Sequence, residues 1–600
     1  MTTFERYGHL VASIDQGSSS TRFSVFSSKT GEMLAYHQEE SVILTPHERW
    51  SEMDAAWLID STCDCMERTA NKLDDMGIHI KDIKCIGITN QMLTLILWDK
   101  VTGKSLCNAI GYTDSRAHAR YQELERNMSK EDRVKYQHLN GNEREGTDQP
   151  QHRRSDETLK RVHVYRVTQA LTGSTELKNL YEGEGADELQ HRCSDDTLNR
   201  VHVCSTVVRM RRCDTVAQCF GIGKSTVIKV LKSGIAMQKL GVLSEDMADI
   251  IQEATPFMAS CYGTLTGGPN GGSYVTDVTN ACHTGLMNLN TLCWDVDICR
   301  TFNVPTSILP DIHSTSEVYG YVNEGSFKGI PLSGMAGDQP AATIGQLCFK
   351  PGESKCTYGT VASLNINTGT KLVISSHGLL TSPLYQLGKG NPAVYMLEGV
   401  VASCGSVIKW IRDNLGMISK ASEIEELAGS VEDSDDCYFV PALEGFFCPY
   451  WTDDARGVIC GLNTNTTKAH ICRAALESIC FQVRKLLEIA AEESGFPIPS
   501  LKADGGMVVN TLFMQMQADI LEGNVVRPFM KETTSFGAAL MAGSAAGIDI
   551  FRINEDHLGL EEEFPKRNDV FEKSCSAEAL RKRLKRWEKA VKKSFDWMTE

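Results

Sequence analysis

Three short turns pair an aspartate with glycine: Asp15-Gln16-Gly17, Gly337-Asp338-Gln339 and Asp504-Gly505-Gly506. Each follows an apolar run of strand length. Glycine lets backbone N–H groups approach an anion, and a helix starting just beyond adds a favourable dipole. A carboxylate in either of the first two turns can hold Mg²⁺ or take the proton of a hydroxyl group. One Asp-Gly turn is usually only a turn. Three at strand ends in one chain point to a phosphate cleft. GIGKST (221–226) imitates a P-loop, but Gln218 stands where that pattern needs glycine, so it is rejected.

The elements around these turns alternate strand and helix. HLVASIDQGSSSTRFSVF (9–26) reads as a hairpin, residues 53–77 as a helix, and IKCIGITNQ (83–91) with LTLILWDKVTGK (93–104) as two further strands. The rhythm returns at VTDVTNACHTGLMNLN (275–290). VYMLEGVVASCGSVIKWIRDNLGM (394–417) is a strand leading into a helix with Val407, Ile408 and Ile411 inward. TKAHICRAALESICFQVRKLLEIAAEESG (467–495) is a long helix with a glycine stop, and GAALMAGSAAGI (537–548) reads as a packed core helix. Near the C-terminus, Leu580, Leu584, Trp587 and Val591 form one stripe of a basic amphipathic helix.

The 600 residues exceed what one core serves, so two large domains or more are expected. A net charge of −16 argues against nucleic acid as the main partner. The 21 cysteines are scattered singly, and MTTFERYGHL is no secretory leader; both readings place the chain in a reducing, cytoplasmic compartment. No apolar run reaches the length of a membrane span.

Between about 126 and 270 the composition turns polar and repetitive. QHRRSDETLKRVHV (151–164) recurs as QHRCSDDTLNRVHV (190–203), identical at eleven of fourteen positions. Two copies are too few for a solenoid, so a duplication inside an insert is the simpler reading. Residues 215–234 have the pattern of a helix-turn-helix, a distant hint of DNA binding in an acidic chain.

The stretches IDQGSSSTRFSVF, GITNQ, WDKVTGKSLCNAI, VTDVTNA, GIPLSGMAGDQPAATIGQLCF, TYGT, YMLEGVVASCG, PYWTDDARGVICGL and ADGGMVVN come in the order of a known family. The chain resembles the glycerol kinases of the carbohydrate-kinase family, whose nucleotide core is shared with actin and hexokinase. The resemblance covers residues 9–125 and 273–548. It implies an α/β fold of two ribonuclease-H-like domains around an ATP cleft. The N-terminal domain would span 1–345, interrupted by the insert at 126–270. The C-terminal domain would span 346–550, and 551–600 would form a helical tail.

Carried over position by position, the resemblance puts Gly17, Ser18, Ser19 and Arg22 at the terminal phosphates. Thr360, Gly405, Gly506 and Asn510 fall on further nucleotide contacts. Asp15 and Asp338 become metal-associated carboxylates, Asp338 the general base and Gln339 a substrate contact. The family pattern then departs. Where it has Arg and Glu to hold the triol, this chain has Met92 and Leu93. Where it has a Phe, this chain has Ser363, and no equivalent of its substrate-contacting Tyr is found. Each lost hydrogen bond is worth on the order of 1–3 kcal/mol, so glycerol should bind more weakly. The expected activity is ATP- and Mg²⁺-dependent phosphorylation of glycerol to sn-glycerol 3-phosphate, weakened by these losses. The alternatives are a nucleotide-binding regulatory relative and a kinase for a more apolar alcohol. The resemblance also admits a homo-oligomer.

Overall fold

The apolar run LVASIDQ forms β1 (Leu10–Gln16), which turns at Gly17 into β2 (Ser20–Ser27) with Asp15 opposite Arg22. β3 (Met33–Glu40) completes an antiparallel meander. β4 (Ile83–Asn90) then lies parallel to β1 on its other side. β5 (Ser316–Tyr321) and β6 (Pro331–Gly337) follow, with β6 parallel to β4, so the first sheet runs β5-β6-β4-β1-β2-β3. The structure is a computed structural model. It describes residues 3–111 except 48–49, 93, 100–104 and 106; the strand 201–204; and 275–598 except 302–303, 305, 307–308, 444, 453 and 554–566.

A second sheet repeats the plan. β7 (Ser354–Tyr358) and β8 (Ala362–Gly369) form a hairpin; β9 (Leu380–Tyr385) and β10 (Val394–Val401) extend it antiparallel. β11 (Ser500–Asp504) is parallel to β7, β12 (Asn524–Arg527) parallel to β11, and β13 (Asp569–Phe571) closes the edge antiparallel. The order is β9-β10-β8-β7-β11-β12-β13. In both sheets an antiparallel meander gains two successive parallel strands beside its first strand. This is the ribonuclease-H-like plan twice over, and the expected α/β architecture is what the chain adopts.

Helices cover the sheets. α1 (Ala55–Asp75) is capped by Asp54, whose Oδ1 accepts from Ala56 N at 2.8 Å, and it buries Leu58, Cys65, Met66 and Leu73. α2 (Val278–His283) and α3 (Asp338–Gly345) each begin at the end of a strand. α4 (Gly405–Asp413) buries Val407, Ile408 and Ile411, as its spacing predicts. α5 (Lys468–Ser494) starts with a Thr467–His470 capping box and ends at Gly495, φ 77°. α6 (Thr511–Leu521) lies between β11 and β12. α7 (Thr533–Gly543) is the small-residue helix, and α8 (Ala577–Lys592) docks on α5 by the predicted stripe, with Trp587 stacked on Phe481 at 5.3 Å.

α7 joins the halves. It leaves the second sheet, yet it packs on β1, β4 and β6 of the first and crosses α3. A Cβ on Gly537 would lie 1.8 Å from the Ala341 carbonyl oxygen, and one on Gly345 1.9 Å from that of Thr533. Only glycine permits this crossing, which fixes α3 and the Asp338 turn against the second half. The strand 201–204 pairs antiparallel with Ile96–Asp99. The repeat at 151–164 and the helix-turn-helix pattern at 215–234 lie outside the described residues.

Candidate active site

The first two Asp/Gly turns converge. Asp15 stands near the end of β1, where Ser535 of α7 donates to its Oδ2 at 2.9 Å and Arg22 approaches to 3.9 Å. Burial pushes its carboxyl above the usual range, against the pull of Arg22 and Ser535. Asp338 opens α3 at the end of β6. Burial lifts it to about 6; Lys355 pulls it down, and the charge of Asp15 pushes it up again. Both turns lie at the C-terminal ends of parallel strands of the first sheet, close enough for the Asp15 charge to act on Asp338.

The Asp338 turn is braced from beneath. Asp277 caps α2, taking Thr279 N at 2.8 Å and Asn280 Nδ2 at 2.6 Å. Asn280 exchanges two 3.1 Å hydrogen bonds with Asn90 at the end of β4. Thr279 Oγ1 accepts from Gly337 N at 2.9 Å. One buried network thus fixes the ends of β4 and β6, and burial raises the Asp277 carboxyl.

Behind Asp338 lies a buried set of charges. Lys355 of β7 is 0% exposed and donates to Gln339 Oε1 at 2.6 Å and to Thr357 Oγ1 at 2.7 Å. Thr357 passes the contact to Asp504 at 2.5 Å. Asp504 also accepts from Gln346 at 2.6 Å and Thr533 at 2.8 Å, so the third Asp/Gly turn serves as a structural node. His283 of α2 and Glu398 of β10 pair at 3.1 Å, and His283 Nδ1 donates to Thr279 O at 2.7 Å. Burial alone would lower His283, but Glu398 and the Thr279 carbonyl outweigh it and raise it to about 9. Burial would raise Glu398, but His283 and Ser382 hold it below its ordinary value.

The positions that the resemblance gives to the nucleotide lie at turns and element ends of both sheets. Gly17, Ser18 and Ser19 make the β1–β2 turn, where Gly17 N donates to Ser20 O at 2.9 Å. Arg22 points into the junction and pairs with Glu532, just before α7, and with Gln38 at 3.0 Å. Thr360 and Gly405 are stitched together: Gly405 N donates to Gly359 O at 2.9 Å and Cys404 N to Thr360 O at 3.1 Å. Gly506 opens a short 3₁₀ turn, and Asn510 caps α6 by accepting from Phe513 N at 2.8 Å.

Met92 is half-buried and lies over Gly337, where a Cβ would come 2.5 Å from its Sδ. A thioether therefore borders the Asp338 turn. Leu93 lies outside the described residues. Ser363 is on β8, opposite Thr357 and Val400. Among the described residues, no group of three or more His, Cys, Asp or Glu forms a ready metal cage, and no helix is long and apolar enough to cross a membrane. Buried cysteines such as Cys65, Cys85 and Cys356 carry free thiols.

Sequence reasoning passed over Lys355, His283, Glu398, Glu532 and Ser535. For Glu398 a signal existed: a charged residue inside an otherwise apolar strand (YMLEGVV) must find a partner or a task once buried. Glu532 and Ser535 gave none, because their roles depend on α7 reaching the other half.

The N-terminal domain of the FGGY family of carbohydrate kinases matches residues 10–141 and 224–345, and the C-terminal domain of that family matches 354–546. The unmatched interval, 142–223, is shorter than the one the composition suggests. The glycerol kinase of Saccharopolyspora erythraea is 38% identical over 589 residues, covering 98% of this chain and 99% of that protein. The probable glycerol kinase of Dictyostelium discoideum is 37% identical over 602 residues, covering 98% of each. The structure of Plasmodium falciparum glycerol kinase with ADP superposes with a TM-score of 0.72 at 28% identity, covering 98% of each chain. A xylulose kinase from Rhodospirillum rubrum shares the fold, with a TM-score of 0.67 at 17% identity and coverage of 98% of this chain and 100% of that one. With both domains matched in order and relatives of this identity along its whole length, the chain belongs to the FGGY family of carbohydrate kinases.

Proposed function

We infer that this chain transfers the terminal phosphoryl group of ATP to glycerol, giving sn-glycerol 3-phosphate and ADP. The observation that carries the reading is Asp338. It is a carboxylate lifted to about 6 at the start of α3, which crosses α7, within reach of the Asp15 charge and followed by Gln339. Such a group is ionised at neutral pH yet still basic enough to take a proton. The curated relatives named as glycerol kinases and the ADP-bound structural neighbour support the substrate and the nucleotide.

In this mechanism Gln339 and Asp338 orient the alcohol. Asp338 accepts the hydroxyl proton as that oxygen bonds to the γ-phosphorus and the bond to the ADP oxygen breaks. Arg22 and the 17–19 turn meet the terminal phosphates; Thr360, Gly405, Gly506 and Asn510 line the rest of the nucleotide. Asp15 and Asp338 are two hard oxygen donors whose mutual repulsion a divalent cation would relieve, so they fit Mg²⁺. Bound there with the phosphates, Mg²⁺ neutralises their charge. The proposed division is 1–345 and 346–550 with a tail at 551–600. Free thiols such as those of Cys65, Cys85 and Cys356 favour a cytoplasmic site of action. The test is ADP release on adding glycerol to purified protein. Nucleotide binding without turnover would replace this reading with a regulatory one.

Two variants probe the halves of the site separately. Arg22→Ala removes a charge-assisted phosphate contact worth about 1.5–3 kcal/mol. Initial rates should show the KM for ATP rising at least about tenfold, with the KM for glycerol nearly unchanged. Met92→Arg with Leu93→Glu restores the donor and acceptor that the resemblance assigns to these two positions. It should lower the KM for glycerol by about tenfold or more, on the scale of one regained hydrogen bond.

A further inference from the structure

Lys355 is the unusual residue of the second half. Lysine is almost never fully buried, yet this one is, near the start of β7 between Ser354 and Cys356, which are buried too. An ammonium has three donors and no acceptor. Two of its donors go to neutral oxygens, Gln339 Oε1 and Thr357 Oγ1. The third has no acceptor among the described residues. A buried cation whose hydrogen-bond partners are neutral does not sit there for an ion pair alone.

The contact with Gln339 has a chemical consequence. Lysine only donates, so the carboxamide atom facing it must be the oxygen. The amide orientation, ordinarily ambiguous, is forced by chemistry. Gln339 Nε2 is then turned away from Lys355, and it has no acceptor among the described residues. Gln339 is half-buried and adjoins Asp338.

We propose that Lys355 is a positioning residue for the alcohol: it clamps Gln339 so that Nε2 is presented as a fixed donor to a hydroxyl oxygen next to the one that reacts. Thr357 and Asp504 extend the clamp to the helix that begins at Thr533, so the donor is set by the framework joining the two halves. The attraction of Lys355 for the Asp338 carboxylate is consistent with an ammonium aimed at this turn. The proposal rests on the glycerol kinase reading above. It adds that the alcohol needs a lone-pair-bearing oxygen opposite Gln339, as a vicinal diol has and a simple monohydric alcohol lacks.

The test is a double-mutant cycle on the full chain with steady-state kinetics. Lys355→Met and Gln339→Ala should each raise the KM for glycerol about tenfold, the worth of one fixed hydrogen bond, with the KM for ATP changed by less than about twofold. Because Lys355 acts through Gln339, Lys355→Met should add little in the Gln339→Ala background. An undiminished effect there, or an equal rise in the KM for ATP, overturns the proposal. Gln339→Glu guards against a misfolded Lys355 variant. It keeps an acceptor for the ammonium, so its melting temperature should match wild type, while the missing donor should weaken glycerol as much as Gln339→Ala does. Wild-type affinity in Gln339→Glu also overturns the clamp. A wild-type protein that binds ATP but neither binds nor phosphorylates glycerol defeats the functional reading itself, and the clamp with it.

Discussion

Asp338→Asn should reduce kcat with glycerol by about 10²–10⁴-fold, the range of a lost general base, while ATP binding measured by calorimetry changes little. The amide has nearly the shape of the carboxylate, so the hydrogen bonds of the turn survive and only the proton acceptor is removed. The pH profile gives a second readout. In the wild type, activity should rise as pH increases through about 6, where Asp338 ionises against burial and the Asp15 charge. In the variant that acid limb should vanish from the residual rate. Stability should move the other way. The folded carboxyl sits above its ordinary value, so its stabilising contribution is complete below about 4 and is lost as pH rises through about 6. At neutral pH the protein holds an ionised group it would rather protonate. Asp338→Asn should therefore melt no lower than wild type at pH 7.5, and higher if the strain is fully relieved. An inactive variant that also melts far below wild type would mean the turn had collapsed.

The second large effect lies behind the site. His283→Ala or Glu398→Gln leaves one member of a buried pair without its partner. Breaking such a pair typically costs about 3–5 kcal/mol, which urea unfolding would read as a lower midpoint. The side chains are 11% and 5% exposed, so solvent screening gives little relief. Removing both charges together should cost much less than the sum, because neither is then stranded. The pair also joins α2, on the N-terminal side of the family match, to β10 on the C-terminal side, so a single substitution should raise the KM for both substrates as the cleft loosens. The pH sign follows from the two groups. His283 is raised, so its contribution is complete below its ordinary value near 6.5 and fades as pH rises through about 9. Glu398 is lowered, so its contribution is present above its ordinary value and lost as pH falls through the acid range. The wild type should lose more stability between pH 7 and 10 than His283→Ala does.

Much of the scaffold was legible before any coordinates. The strand–turn–strand of 9–26, the inward triad Val407, Ile408 and Ile411, and the Leu580–Val591 stripe are local periodicities, and burial of one face realises them without help from distant chain. GAALMAGSAAGI read as a core helix and is one, over Thr533–Gly543 followed by a turn. What it packs against was invisible, because glycine and alanine spacing says that something comes close without saying what. The three Asp/Gly turns share one pattern, and sequence alone assigned Asp504 no partners. Asp15 and Asp338 end parallel strands of the first sheet within reach of each other's charge, whereas Asp504 is taken up by Gln346, Thr357 and Thr533, contacts brought from far along the chain.

By itself the sequence determined the alternation of strand and helix, the Asp/Gly turns at strand ends and the altered neighbour at Met92, since each is written in contiguous residues. Only the tertiary structure decided that Lys355 grips Gln339, that His283 meets Glu398, and that Ser535 and Glu532 reach back to Asp15 and Arg22. Those pairs lie from 16 to more than 500 positions apart. What joins them is burial. A charge or donor removed from water must find a partner wherever the fold places one, and no spacing rule along the chain records where that will be.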